Sequence, residues 1–291
     1  MKINKKLLPY LLLIPTFLVI VIFIYVPAFD AFKMSLYKAG PFGNRQIFVG
    51  IKNFQQLFEN PAYHEAVIFT VIYIITSVVI TIFLSFFMGL LLTKELPGTK
   101  IFRTCLFAPY AVSPAIAGTL WTFLLSPVVG YLNYAFVQVF GIQVDWLTSK
   151  PYAFFALLFA TVWKMMPFNM IFYIGSIQSV PSDLLEAATL DGASNFKKTF
   201  KIIFPLVSPI TFYLVIMNIA TTMFRSFAMI DVMTKGGPGS YTTNMIYKVY
   251  LDAFEYHKNG SAAAQSVILF FVMVVVTIIY FRFAERRVHY Q

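Results

Sequence analysis

The chain is short of charge, cysteine and histidine. Only 12% of its 291 residues are charged, whereas a soluble domain of this size carries about a quarter. Cys105 is the one cysteine, so no disulfide can form within the chain and the redox state of its compartment cannot be inferred. The three histidines, His64, His257 and His289, stand far apart and form no metal-ligand pattern. The composition therefore offers neither a disulfide nor a metal site.

Motifs for catalysis and for nucleotide binding are missing as well. The sequence has no G-x-x-x-x-G-K-[ST] phosphate loop, no G-x-S-x-G nucleophile turn and no H-E-x-x-H zinc motif. Acidic residues are nearly absent from the long apolar runs, and Asp231 is the main exception. A proton- or sodium-coupled carrier usually needs carboxylates inside the membrane. We therefore expect neither an enzyme nor a self-powered carrier, and transport by this chain would need an outside source of energy.

Apolar surface is what the sequence has in abundance. Hydrophobic residues make up 59% of the chain, Phe alone contributes 33 residues, and the mean hydropathy is +0.76. This composition predicts an all-α membrane protein, in which each span takes about 20 residues. We expect one membrane domain over residues 1–291, with a first span that is retained because it is too long for a signal peptide. The six predicted spans are approximately Leu8–Phe29, Ala66–Thr93, Thr104–Leu125, Tyr152–Ile177, Ile210–Ile230 and Ala262–Phe283.

The positions of the basic residues predict the orientation. A net charge of +10 could suggest a nucleic-acid partner, but the Lys and Arg residues flank apolar runs, which is typical of membrane topology. With the N-terminus inside, twelve of the 22 basic residues fall in inner segments and eight in outer ones. The inner charges, which include Lys2, Lys5 and Lys6, are concentrated in short segments. We therefore expect both termini to be cytoplasmic, together with the loop between the fourth and fifth spans.

That loop, residues 180–209, begins with a short amphipathic helix. Pro181 suits a first helical turn, because its missing N–H would have no partner there in any case. One face of this helix is predicted to carry Leu184, Leu185, Ala188 and Thr189. Gly192 supplies a corner, since glycine readily adopts a positive φ angle.

A second amphipathic helix is predicted after the corner. Ser194 can cap its N-terminus, and Phe196, Phe200 and Ile203 recur at helical spacing. Pro205 is expected to end this helix before the fifth span begins. Amphipathicity alone leaves two interpretations open: a helix pair that lies on anionic lipid, or a docking surface for a soluble protein.

The residue spacing in this loop reads E-A-A-x3-G-x9-I-x-x-P. It resembles the EAA loop of the permease subunits of binding-protein-dependent ABC importers, with Phe204 where a Leu is usual. In that family the loop is the coupling helix that docks on an ATPase. The resemblance implies a coupling role for Glu186, Ala187, Ala188, Asp191, Gly192, Ile202 and Pro205.

The resemblance extends along most of the chain. Residues 109–115 and 236–238 are similar to the carbohydrate-type branch of the family. Further segments resemble its sn-glycerol 3-phosphate permeases, namely residues 162–164, 246–250, 261–267 and 287–291. This implies the type I ABC importer permease fold, and sn-glycerol 3-phosphate or a glycerophosphodiester as substrate. Two alternatives stay open: a neutral di- or oligosaccharide carried by the same machinery, and an ion-coupled secondary carrier.

The resemblance also implies a machine of several subunits in the cytoplasmic (inner) membrane of a bacterium. The implied partners are a second homologous permease, two ATPase subunits, an extracytoplasmic solute-binding protein and membrane lipid, with no nucleic acid. ATP and Mg²⁺ are expected on the ATPase subunits, and no cofactor is expected on this chain.

Two cationic residues, Lys164 and Arg225, lie deepest in the apolar runs. A charge near the membrane centre costs about 2.5–3.5 kcal/mol on insertion scales, so it normally faces a cavity or a partner. We predict that Lys164 or Arg225 faces the substrate pathway and binds a negatively charged phosphate ester. Alternatively, Lys164 snorkels or stabilises a kink, and Arg225 pairs with Asp231 or with the sister subunit. The hydroxyl-binding neighbours predicted for this pathway are Asn169, Tyr173 and Asn218.

Two further features concern proline and glycine. Pro109 and Pro114 in the third span and Pro167 in the fourth predict bent helices, which can line a cavity. The last outer loop contains a run that we expect to be flexible, consisting of Gly236, Gly237, Pro238 and Gly239. A simple turn is one interpretation of this run, and the family resemblance suggests contact with the solute receptor as another.

Overall fold

The computed structural model describes residues 8–39, 46–94 and 98–287, and most of them are helical. The helices are α1 (Leu8–Ile20), α2 (Val26–Ser35), α3 (Lys52–Phe58), α4 (Pro61–Thr93), α5 (Thr99–Ala111), α6 (Pro114–Leu124), α7 (Tyr131–Phe140), α8 (Lys150–Gln178), α9 (Ser182–Leu190), α10 (Asn195–Lys198), α11 (Phe204–Arg225), α12 (Phe227–Met233), α13 (Met245–Tyr250) and α14 (Asn259–Arg287). Short π-helical stretches extend three of them, at Val21–Tyr25, Thr199–Ile203 and Leu251–Glu255. Strands β1 (Tyr37–Ala39) and β2 (Gln46–Phe48) form a small antiparallel ribbon with Tyr37 opposite Phe48.

Five of the described helical stretches are long and apolar enough to cross a membrane. They are Tyr10–Ser35, Pro61–Thr93, Lys150–Gln178, Asn195–Arg225 and Asn259–Arg282. Many of their Leu, Ile, Val and Phe side chains are exposed, as contact with lipid tails requires. The predicted all-α membrane fold is confirmed. The count of about six spans is approximately right, because one predicted span consists of two shorter helices.

That divided span is the third, predicted as Thr104–Leu125. α5 and α6 are separated by Val112 and Ser113, whose backbones are extended with ψ angles of 139° and 152°. Pro114 disfavours helical backbone at the residue before it, so Ser113 leaves the helix. The Ser113 hydroxyl then caps α6 by accepting a hydrogen bond from the Ile116 amide at 3.3 Å. A break in the chain therefore lies where a bent but continuous helix was predicted.

The fifth span, predicted as Ile210–Ile230, starts and ends earlier than expected. Asn195–Arg225 is one continuous helical stretch, in which the π-helical Thr199–Ile203 leads directly into α11. The prediction that Pro205 ends the second helix of residues 180–209 is therefore wrong. Pro205 lies in the first turn of α11, directly after the wider π-helical turn. A missing proline N–H is tolerated at such a junction, because the hydrogen-bond pattern changes there.

Several predictions fall outside the described residues. The basic N-terminal residues Lys2, Lys5 and Lys6 lie there, and so do residues 288–291 of the C-terminal segment. The orientation of the two termini stays a prediction.

The chain divides into two compact units. The first combines Met1–Tyr63 with Lys248–Val272, and the second combines His64–Tyr247 with Met273–Gln291. The single membrane domain predicted over residues 1–291 stays a prediction.

Paired polar side chains hold the first unit together. The Asn53 amide donates hydrogen bonds to the backbone carbonyls of Ser35 and Tyr37, at 2.7 and 2.9 Å. The Lys248 ammonium lies 2.5 Å from the Asp252 carboxylate, and both side chains are buried. Buried polar and charged groups are stable only when they are paired in this way.

The core of the second unit lies where α4, α8 and α11 meet. Its buried side chains are Phe86, Tyr173, Ile177, Ile203, Val207 and Leu214. Gly89 of α4 approaches α8 so closely that an added Cβ would lie 2.9 Å from the Cβ of Tyr173. Small residues of this kind allow membrane helices to pack at short range.

Replacing Gly89 with Ala should lower the stability of the protein by about 1–3 kcal/mol, since the core must shift to admit the methyl group. The measurement is the thermal unfolding midpoint of the purified protein in detergent. Gly175→Ala is the matched control, because Gly175 is also helical and nothing lies within 4 Å of its added Cβ. The control should be neutral or slightly stabilising, since Ala favours helix. Equal losses in both variants would contradict the role given to the close approach.

Candidate functional site

A cavity of about 560 Å³ opens among α5, α6, α8, α11 and α12. The charged residues on its described wall are Lys164 and Arg225, and no acidic residue is among them. The neutral polar residues on the wall are Thr161, Asn169, Asn218, Thr221, Thr222 and Ser226. Aromatic and thioether side chains on the wall include Tyr110, Phe168, Met217 and Phe224. Four of the five residues predicted for a substrate pathway thus share one cavity, which we call the α8–α11 cavity.

Lys164 donates hydrogen bonds to backbone carbonyls at the break between α5 and α6. Its ammonium donates to the backbone carbonyls of Pro109 at 3.3 Å and Tyr110 at 3.4 Å, and also to that of Val112. Carbonyls at a helix end have no partner in a following turn, so they need an outside donor. A cation there also interacts favourably with the negative end of the helix dipole. This arrangement agrees with the alternative in which Lys164 stabilises an interrupted helix.

Asn169 of α8 and Asn218 of α11 form a reciprocal amide pair. The Asn169 amide nitrogen donates to the Asn218 side-chain oxygen at 3.1 Å, and the Asn218 nitrogen donates back at 2.6 Å. Each nitrogen also donates to a carbonyl of its own helix, that of Met165 at 2.8 Å and that of Leu214 at 2.6 Å. Both side chains are buried. The pair therefore joins the two helices, and all four of its N–H groups are engaged.

Arg225, the last residue of α11, is exposed on the same cavity. Within the described ranges, Arg225 makes no hydrogen bond and no ion pair. Asp231, its predicted alternative partner, instead accepts a hydrogen bond from the Tyr247 hydroxyl at 3.2 Å. Thr221 also lines the cavity, and its hydroxyl has no hydrogen-bond partner in the part of the chain that the structure describes.

The structure differs from the predicted pathway at two residues. Tyr173 does not line the cavity but is fully buried in the core, where its hydroxyl donates to Thr211 at 3.0 Å. Thr221 was missed, although it stands four residues before Arg225, a spacing that places both side chains on one helix face. That spacing was the available signal.

The first helix within residues 180–209 is α9, and none of its residues is buried. Leu190 is 89% exposed and Leu184 is 47% exposed. Leu185 packs against the core of the second unit, so Leu184 does not share its face as predicted. α9 thus presents exposed apolar side chains beside the polar residues Ser182, Asp183 and Glu186.

The predicted corner and cap after α9 are present. Gly192 has a φ angle of +74°, in the left-handed region that favours glycine. The Ala193 amide then donates to the Ala188 carbonyl at 2.8 Å, which closes the helix end as in a Schellman motif. The Ser194 hydroxyl caps the next helix by accepting from the Lys197 amide at 3.3 Å.

The three apolar residues predicted to share one face of the second helix, Phe196, Phe200 and Ile203, are not all buried. Phe196 is 71% exposed and Phe200 is 39% exposed, whereas Ile203 belongs to the buried core. The seven predicted coupling residues lie on or near the surface. Glu186, Ala187, Asp191, Gly192 and Pro205 are exposed, and Ala188 and Ile202 are half-buried.

The Gly236–Pro238 run forms a hydrogen-bonded turn, as one of its two interpretations predicted. Gly236 has a φ angle of +77°, and an added Cβ would lie 2.5 Å from the Thr243 hydroxyl. The Thr242 hydroxyl donates to the Gly237 carbonyl at 2.6 Å. Gly236 is therefore required by both backbone angle and space.

Replacing Asn169 or Asn218 with Leu should destabilise the protein, because the remaining buried amide loses both hydrogen bonds that it makes across the helix pair. The double variant should cost less than the two single variants together, with a coupling of about 0.6–1.7 kcal/mol as for other membrane hydrogen bonds. A double-mutant cycle on unfolding in detergent measures this coupling. Strictly additive losses would show that the two amides act independently.

Known proteins are similar in sequence to this chain over nearly its whole length. Residues 67–290 match the family described as the binding-protein-dependent transport system inner membrane component. The chain is 37% identical over 284 residues to the sn-glycerol-3-phosphate transport system permease protein UgpA of Pectobacterium atrosepticum, covering 98% of this chain and 96% of that protein. It is 38% identical over 288 residues to UgpA of Escherichia coli, covering 99% of this chain and 97% of the relative.

Solved structures share the fold. A bacterial ABC transporter involved in the import of the acidic polysaccharide alginate contains a chain with a TM-score of 0.84 and 22% identity, covering 98% of this chain and 97% of its own. The alginate transporter in complex with an alginate pentasaccharide-bound periplasmic protein matches at a TM-score of 0.84 and 21% identity, with 97% and 95% covered. The predicted importer permease fold is thereby confirmed. The chain belongs to the family of inner membrane components of binding-protein-dependent transport systems.

Proposed function

We propose that this chain is the transmembrane permease subunit of an ATP-driven ABC importer for sn-glycerol 3-phosphate or a glycerophosphodiester. The observation that carries the proposal is the 37–38% identity to permeases named for that substrate, over 96–97% of their length. The α8–α11 cavity supports it, since Lys164 and Arg225 are on its described wall without an acidic residue. Such a wall favours a ligand that carries negative charge.

The chain supplies half of the translocation pathway in this proposal. A second homologous permease supplies the other half, and an extracytoplasmic solute-binding protein delivers the substrate at the outer face. The turn at Gly236, Gly237 and Pro238 is a candidate contact for that protein. ATP and Mg²⁺ bind to two separate ATPase subunits, which is consistent with the lack of a phosphate loop in this sequence.

Residues 180–209 form the ATPase docking surface in this proposal, on the cytoplasmic side. α9 has no buried residue, and Leu190 and Phe196 expose most of their apolar surface. Exposed apolar side chains within a polar surround are typical of protein contact sites. Glu186 and Asp191 stand exposed beside them and can pair with basic groups of a partner.

A neutral di- or oligosaccharide is the second candidate substrate. It is favoured by the aromatic side chains on the cavity wall, Tyr110, Phe168 and Phe224. Uptake into vesicles, driven by ATP and measured for phosphate esters and sugars in parallel, decides between the two substrates. Uptake that persists with a protonophore also separates this importer from an ion-coupled carrier.

Glu186→Lys should weaken binding of the ATPase subunit, because it reverses a charge on the exposed docking surface. We expect ATP-dependent uptake to fall by about tenfold or more, the effect of losing about 1.4 kcal/mol of binding. Co-purification of the ATPase with the tagged permease measures the docking itself. An unchanged yield of ATPase and unchanged uptake would contradict this assignment of residues 180–209.

Gly192→Val should have the same effect through the backbone. A β-branched residue is strained at the φ of +74°, so the corner between α9 and α10 would change shape. Gly141→Val is the matched control, since Gly141 has a φ of +71° and open space around its Cβ, but follows α7 instead. Loss of ATPase co-purification in both variants would indicate general misfolding rather than a lost docking surface.

A further inference from the structure

Two cationic side chains, Lys164 and Arg225, line the α8–α11 cavity, and they differ in how many of their N–H donors are already used. A lysine ammonium has three N–H donors. In Lys164 they face three backbone carbonyls at the break between α5 and α6, those of Pro109, Tyr110 and Val112. Lys164 therefore has no donor left for a ligand unless it releases the end of α5.

The asparagine pair is committed in the same way. Asn169 and Asn218 use all four of their amide N–H groups on each other and on carbonyls of their own helices. Phosphate oxygens are bound by N–H and O–H donors, so these amides cannot bind them without breaking a hydrogen bond that they already make.

Arg225 and Thr221, in contrast, have hydrogen-bond donors on the described wall that no described residue uses. Neither makes a hydrogen bond to another described residue, and both line the cavity. They stand four residues apart on α11, so their side chains lie one above the other on one helix face. The wall offers five guanidinium N–H groups and a hydroxyl at this place.

The chemistry of this pair favours an oxyanion. The planar guanidinium donates two parallel hydrogen bonds to a phosphate, which an ammonium cannot do. No acidic residue on the described wall competes for Arg225. An arginine within a membrane helix usually has a counter-charge or a water-filled cavity, and here the cavity supplies the place for an anion.

We infer that Arg225 and Thr221 form the anion-binding subsite of the cavity, and that Lys164 is a structural residue that holds the break between α5 and α6. The inference rests on the proposed function, because it assigns the phosphate of the proposed substrate to these two side chains. The sequence allowed either Lys164 or Arg225 to bind the anion, and the structure favours Arg225.

The experiment uses the assembled complex of this permease with its partner permease, ATPase subunits and binding protein, reconstituted in proteoliposomes. The initial rate of uptake of radiolabelled sn-glycerol 3-phosphate is measured with the loaded binding protein at saturation. The thermal unfolding midpoint of each complex is measured in parallel. The variants are Arg225→Gln, Arg225→Lys, Thr221→Val and Lys164→Met. Thr104→Val is the control, since Thr104 is an exposed helical threonine of α5.

Arg225→Gln should reduce uptake by about 10- to 100-fold, the usual effect of losing a hydrogen bond to a charged group. Arg225→Lys should recover part of the loss, because it keeps the charge without the second parallel hydrogen bond. Thr221→Val should reduce uptake by about tenfold or more, because its hydroxyl also donates to the charged phosphate. Thr104→Val should match the wild type. The Arg225 and Thr221 variants should keep the wild-type unfolding midpoint, whereas Lys164→Met should lower it.

Three results would overturn the inference and leave the proposed function standing. Uptake by Arg225→Gln within about twofold of the wild type would show that Arg225 does not bind the anion. A midpoint lowered by Arg225→Gln as far as by Lys164→Met would make Arg225 structural. Loss of uptake in Lys164→Met with a wild-type midpoint would assign the anion to Lys164. A wild-type complex that carries a neutral disaccharide and no phosphate ester contradicts the proposed substrate itself, and the subsite falls with it.

Discussion

Pairing of polar groups away from water is the constraint on which this structure depends. Hydrocarbon offers no hydrogen bonds, so a freed carbonyl, an amide or a charge must find its partner within the protein. Lys164 meets this requirement for the carbonyls at the end of α5, and Asn169 and Asn218 meet it for each other. Asp252 and Lys248 do the same in the other compact unit. These pairs set which helices are joined and which side chains remain available.

The anion subsite inferred at Arg225 and Thr221 depends on which polar groups those pairs leave without a partner. The break before Pro114 interrupts a membrane helix and leaves carbonyls to which the Lys164 ammonium donates, and the α8–α11 cavity opens beside it. Because Lys164 is used at the break, the cavity still needs a second cation if it is to bind an anion. Arg225 stands on α11 of the same wall and is free of partners among the described residues. Lys164 thus stabilises the cavity wall, and Arg225 remains available to bind the ligand.

The sequence predicted the parts that depend on local chemistry. Apolar runs located the spans, and Gly192 and Ser194 predicted the corner and the cap that the structure contains. Prediction from the sequence failed where a residue's role depends on contacts with other helices. The Tyr173 hydroxyl in an apolar run suggested a pathway residue. Only its contacts with α4 and α11 show that Tyr173 belongs to the buried core. The proline rule also failed at Pro205, since a π-helical turn before it allows the helix to continue.

The unbroken path from Asn195 to Arg225 has a mechanical consequence. At about 1.5 Å per residue, its 31 residues form a rod about 45 Å long. Phe196 stands exposed near one end, and the cavity-facing arginine occupies the other. The core around Val207 lies between these two ends, so a tilt of the stretch about that core would move Phe196 and Arg225 in opposite directions.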